Sequence, residues 1–339
     1  MAINTFSGGN PINSLQAAGK NAIINGGFDI WQRGTSITMS STAYTADRWN
    51  GYRSVAGGTV TRQATGDTTN LPNIQYCARV SRDSGNTATT SLYFGQSVET
   101  SNAIPYAGKA ITFSFYARKG ANYSPTSSAL IAGLYSGTGT DQNNTTGSYT
   151  GFATVAENTA TLTTTWQRFT YTGTFAATAT EFCVQFAMAP TGTAGAADYF
   201  EVTGVQVELG STATTFSRAG ATIQGELAAC QRYYVRFNNN ANNTPLTTSG
   251  FTFSTTGANI FRPFPVEMRI SPTAIETGGS LAFKDVTASN FTPSAYTVIN
   301  GSNQMASIDL TLSGATSARW GYLQSNSSGT NYIAFSAEL

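Results

Sequence analysis

Trp320 and Tyr322 stand two residues apart in a strand-like segment, so one strand face would carry both rings. A polar loop with Asn326, Ser327, Ser328 and Asn331 follows them. Sugar rings present C–H faces that stack on aromatic planes, and their hydroxyls need amide or carboxylate partners. Trp320, Tyr322, Asn326 and Asn331 are therefore the candidate glycan-contacting residues. Core or intersubunit packing is the competing use of the two rings. Trp31, Trp49 and Trp166 have apolar neighbours and read as core.

Carboxylates are the second source of chemistry. A glycosidase places two of them on either side of the scissile bond. The chain has 17 Asp and Glu residues, Asp309 among them, and none falls in a local pattern such as ExDxE. Catalysis is therefore not expected, and a glycan depolymerase stays as an alternative. Asn25, Asp29, Asp198 and Glu201 would bring oxygen atoms near the ends of a first sandwich. Calcium accepts such ligands in loose geometry, so a structural calcium ion is an expectation there.

The sequence holds no histidine, which removes Ser-His-Asp and Cys-His nucleophile systems, histidine zinc sites and a histidine pH switch. Its 18 Lys and Arg residues are scattered and leave a net charge of +1, so no basic stripe is available for nucleic acid. Cys77, Cys183 and Cys230 match no metal or CxxC spacing. They read as small buried apolar residues, with a Cys77–Cys183 bridge as the alternative. No apolar run reaches the length of a membrane span, and the first 20 residues lack the basic and apolar regions of a signal peptide. A chain made in the cytoplasm and not inserted in a membrane is expected.

The elements that must position these residues are strands. Ile111, Phe113 and Phe115 alternate with Thr112 and Ser114; Phe182, Val184, Phe186 and Met188 alternate with Glu181, Cys183, Gln185 and Ala187. Period-two patterns rich in aromatic, β-branched and Thr residues, separated by Gly/Ser/Asn/Thr turns, signal half-buried antiparallel strands. The reading is all-β: an extended arm at 1–20, a jelly-roll β-sandwich at 21–218, a short junction helix at 219–236 and a smaller β-sandwich at 237–339. In the helix Ile223, Leu227 and Tyr234 fall at roughly helical spacing. That stripe would either cap a sandwich or pack on copies of itself about a symmetry axis. Only 10% of residues are charged, and a neutral hydroxyl-rich surface is tolerable when much of it is buried in an oligomer.

Three stretches carry a resemblance: NAIINGGFDIWQRGTS (21–36) with YTADRW (44–49); SFYARKG (114–120) with TTTWQRFTYTGTF (163–175); and FEVTGVQVELGSTATTFSRAG (200–220) running into GELAACQRYY (225–234). With the ending YIAFSAEL (332–339), the chain resembles phage and prophage tail-fibre or virion-fibre proteins. Asn25, Gly26 and Phe28, with Glu208 in the closing strand, also resemble the first and last strands of carbohydrate-binding-module jelly rolls. In those modules the two ends meet and often flank a calcium ion, which adds Glu208 to the candidate ligands. The usual Asp-Asp before the closing strand is replaced here by Thr203-Gly204. The resemblance implies a homotrimeric virion appendage. Residues 1–20 would attach to other virion proteins, and the distal β-sandwich would bind host-surface glycan. A capsid-attached head fibre or decoration protein is the alternative placement.

Overall fold

The computed structural model describes residues 19–39, 41–144 and 148–339. All but the last two residues of the expected arm at 1–20 lie outside them. The chain divides into two compact units, the first reaching Leu227 and the second running from Ala228 to Glu338.

In the first unit, sheet I has the strand order Ser36–Met39, Gly58–Ala64, Tyr76–Arg82, Tyr199–Leu209, Ala110–Lys119, Gln167–Thr174. Sheet II has the order Thr42–Tyr44, Asn50–Tyr52, Leu92–Val98, Glu181–Met188, Ala129–Gly137, Ala153–Thr161. Every pairing is antiparallel, as expected of a jelly-roll sandwich. The sheets share one core, because alternate residues of each point at the other. Phe113, Phe115, Val202 and Val207 from sheet I meet Phe94, Val184 and Phe186 from sheet II, all completely buried. Trp49 stacks on Phe94 at 4.9 Å, and Phe115 meets Phe186 edge-on at 4.9 Å.

The Asn25-Gly26-Gly27-Phe28 turn joins the beginning of this unit to its closing strand. Val205 N–H donates to Gly26 O at 2.9 Å, and Ala22 N–H donates to Val207 O at 2.9 Å. A Cβ on Gly26 would stand 2.1 Å from Val205 O, so only glycine fits there. The closing strand answers with a bulge between Thr203 and Gln206, where Gly204 takes φ +58°. Phe28 holds φ +55°, a conformation costly for a bulky residue, and its ring packs 4.9 Å from Trp49.

The helix is Ile223–Gln231, shorter than the expected 219–236. Tyr234 begins the strand Tyr234–Asn239 and is 1% exposed. Aromatic and β-branched residues at Tyr233, Tyr234 and Val235 favour the strand over another helical turn. The expected stripe of Ile223, Leu227 and Tyr234 is therefore not one helix face. Ile223 is exposed, Leu227 half-buried, and the Tyr234 hydroxyl donates to Glu276 at 2.9 Å.

The second unit pairs a three-stranded sheet III with a seven-stranded sheet IV. Sheet III has the order Tyr234–Asn239, Asn331–Ser336, Ile275–Gly278. Sheet IV has the order Asn290–Phe291, Leu281–Asp285, Trp320–Ser325, Ser249–Thr252, Gly257–Pro263, Met305–Thr311, Ala295–Val298. Val235, Ile333 and Phe335 of sheet III share a core with Ile260, Ile308 and Leu323 of sheet IV. Strand alternation then sends the neighbours of Ile260 and Ile308 to the other face of sheet IV.

Candidate functional site

That other face carries a straight cross-strand row. Trp320 lies opposite Phe251, Phe251 opposite Asn259, Asn259 opposite Asp309, and Asp309 opposite Thr297. A parallel row has Phe261 opposite Ser307. Tyr322 faces Lys284 on the neighbouring strand. Trp320 is 64% exposed and meets the half-buried Phe251 edge-on at 6.1 Å. Phe253, Ile299 and Met305 are also exposed, which is unusual clustering for large apolar side chains. Between them runs a groove of about 600 Å³.

Its walls are apolar and its floor is a polar ladder. Asn259 Nδ2 donates to Ser307 Oγ at 3.0 Å and to Asp309 Oδ1 at 2.9 Å. Ser307 Oγ donates back to Asn259 Oδ1 at 3.3 Å. These bonds fix the amide and orient the carboxylate, while Asp309 keeps partial exposure. Such a surface can stack flat apolar faces and accept hydrogen bonds from a ligand in one register.

Two of the four sequence candidates belong to this face. Trp320 stands on it, and Tyr322, two residues on, lies on the same side of its strand. Asn331 is buried and is a loop clamp instead: Nδ2 donates to the carbonyls of Ser327 and Gly329, while Oδ1 accepts Ser280 N–H at 2.9 Å. Asn326 is half-buried beside that loop, with its N–H on Ser280 O. Phe251, Asn259, Phe261 and Asp309 were not singled out as contacts by the sequence. Only the strand register brings positions 251 and 320, or 259 and 309, side by side.

The five expected calcium ligands are not gathered into one site. Glu201 is fully buried between Arg79, at 2.6 Å, and Arg118. Asp198 pairs with Arg82 at 2.9 Å and accepts Ser124 N–H. Asp29 pairs with Arg218 at 2.7 Å. Glu208 accepts from Thr214 N–H and hydroxyl and from Gln206 Nε2. Asn25 spends its side chain on Ile30 and Asp47 backbone groups. Each oxygen set already has a protein donor, and no cluster of three or more acidic or thiol ligands occurs among the described residues.

Cys77 lies on sheet I and Cys183 on sheet II, and both are free buried thiols, so the alternative bridge is absent. Burial pushes the Cys183 thiol up to about 12, which leaves it protonated and unreactive. Glu226, on the helix, is completely buried; it accepts the N–H groups of Asn25 and Gly220. Burial raises its carboxyl above the ordinary range.

Fold and site together define an all-β protein of two sandwiches, one of which leaves an aromatic sheet face open. No family model and no curated protein matches the chain. Solved structures do. A CBM4 carbohydrate-binding module is 19% identical, matching 55% of this chain and 98% of its own, with a TM-score of 0.31. The CBM22-1 xylan-binding domain of Paenibacillus barcinonensis Xyn10C is 12% identical, over 58% of this chain and 98% of its own, with a TM-score of 0.32. The enzymatically active domain of tailspike protein 4 from bacteriophage CBA120 is 12% identical, over 56% of this chain and 21% of its own, with a TM-score of 0.33. Likeness this loose decides nothing about ligand or activity.

Proposed function

We propose that this chain is a glycan-binding structural protein, a virion-fibre subunit that acts by adhesion and not by catalysis. The observation that supports it most is the open face of sheet IV, where Phe251 and Phe261 border the Ser307–Asn259–Asp309 ladder and Trp320 extends the aromatic row beyond Phe251. Apolar faces of a sugar would stack on the rings while its hydroxyls meet the ladder. The fibre assignment draws on the motif resemblance at 21–49, 114–120, 163–175 and 200–234. Assembly as a trimer would multiply weak contacts through effective concentration. Adhesion is favoured over depolymerase activity because that chemistry takes two carboxylates, and among the described residues Asp309 is the one acid lining the groove.

The test is binding of the full chain to an array of immobilised bacterial-surface glycans. Trp320→Ala and Phe251→Ala should each lower binding about tenfold, the scale of about 1.4 kcal/mol lost from one aromatic contact. Retained binding in both variants would overturn the site. Loss of oligomeric state with glycan binding unchanged would assign the face to a second copy of the chain.

A further inference from the structure

The chemistry of the sheet IV groove restricts the class of glycan, and this step rests on the adhesive reading above. Asp309 is the one charged residue lining the groove among the described residues. Arg262, on the adjacent strand, does not offset it: its guanidinium lies 3.6 Å from the Phe237 ring. Arg319 is engaged by Asp285 at 3.1 Å. The groove is therefore apolar walls around one unneutralised carboxylate.

An ionised carboxylate is an acceptor only. Asn259 holds Asp309 by one oxygen, Oδ1. A ligand that satisfies this group must donate. A neutral sugar with adjacent free hydroxyls does so, and its C–H face lies flat against rings such as Phe251. A uronic, sialic, sulfated or phosphorylated residue brings a second negative charge against Asp309, and the two like charges repel.

We infer that the groove selects neutral glycans bearing vicinal hydroxyl donors and rejects anionic ones, with Asp309 as the specificity-determining residue. The test measures the full chain against a matched pair of polymers, a neutral galactan and polygalacturonate, at low and at physiological salt. The neutral polymer should bind at least tenfold more tightly, with the ratio shrinking as salt rises. Asp309→Asn keeps an acceptor for Asn259, so its melting temperature should match the wild type. It should lower galactan binding about tenfold and bring the two polymers close to parity. Equal or tighter binding of polygalacturonate by the wild type, through a surface that still needs Trp320, would overturn this inference and leave the adhesive reading standing. An unchanged ratio in Asp309→Asn would do the same. Polymer binding indifferent to Trp320→Ala and Phe251→Ala, or no binding to either polymer, would overturn both.

Discussion

Sheets I and IV each carry a straight row of side chains across their strands on the face away from the core, and the two rows have opposite fates. On sheet I the row is Thr61, Arg79, Glu201 and Arg118. Its one carboxylate is paired in place with both arginines, and the row is then roofed. Arg79 lies 4.0 Å from the Tyr199 ring and Arg118 lies 4.6 Å from Trp166. Leu71, Ile74 and Phe216 form a small apolar cluster against Tyr116 and Trp166, and Thr214 ties its loop to Glu208. On sheet IV the row is Trp320, Phe251, Asn259, Asp309 and Thr297, and Trp320 is left mostly in solvent. The ordinary sorting of charges outward and rings inward is inverted between them. Hidden charge serves architecture; displayed rings are the feature that folding alone does not explain.

The contrast breaks most visibly at Glu201. Glu201→Gln leaves Arg79 and Arg118 facing each other without an anion. Removing one partner of a buried pair costs about 3–5 kcal/mol, and the arginines, 29% and 25% exposed, bring this to about 2–3 kcal/mol. Chemical denaturation should show that loss in the first unit's transition, with glycan binding at 25 °C unchanged. Phe216→Ala removes part of the roof over sheet I. A loss of about 2 kcal/mol is expected at this rim position, read as a lower melting temperature together with faster hydrogen exchange in the 211–218 segment. Trp320→Ala inverts the pattern: stability should move by less than about 0.5 kcal/mol while binding falls about tenfold. A large stability loss in that variant would mean that the two faces do not differ in kind.

The smallest effect is a pH dependence confined to the first unit. Glu226 has a native carboxyl raised by burial from an ordinary 4.5. The folded state then binds its proton more tightly than the unfolded state. Its contribution to stability is fully present below pH 4.5 and is lost as pH rises through the raised native value. Melting curves of wild type against Glu226→Gln should therefore diverge progressively above that pH, the wild type becoming relatively weaker. Curves that stay parallel would refute the burial argument.

Much of the architecture was legible in the sequence. The alternation at Ile111, Phe113 and Phe115, and at Phe182 to Met188, is local, and those segments are the strands Ala110–Lys119 and Glu181–Met188. Half of the glycan-site reading had the same basis, since a two-residue spacing sets Trp320 and Tyr322 on one side whatever their strand pairs with. The rest depended on partners. No local signal says that Phe251 will lie opposite Trp320, or that Asp309 will be oriented by Asn259, because register is fixed by the whole sheet. The expected calcium ligands are not gathered together for a related reason. An Asp or Glu advertises oxygen, and nothing near it in sequence shows that Arg79, Arg82, Arg118 or Arg218 folds back to claim it. Asn331 likewise gave a loop amide, and the loop's own carbonyls took its protons.

The junction between the first turn and the closing strand has a mechanical meaning. Gly19 is bonded to Ala219, Ala22 to Val207, and Gly26 to Val205, so the two segments run side by side in opposite directions. Tension entering the chain at 19 and leaving at 219 meets the Gly19–Ala219 bond first and the others afterwards. These bonds are loaded like the teeth of a zip, one after another, and the last two sit on the closing strand Tyr199–Leu209, through which the load reaches sheet I. Single-molecule pulling between these two positions should show a short, low-force extension, the parting of the Gly19–Ala219 contact, ahead of the sandwich's own rupture.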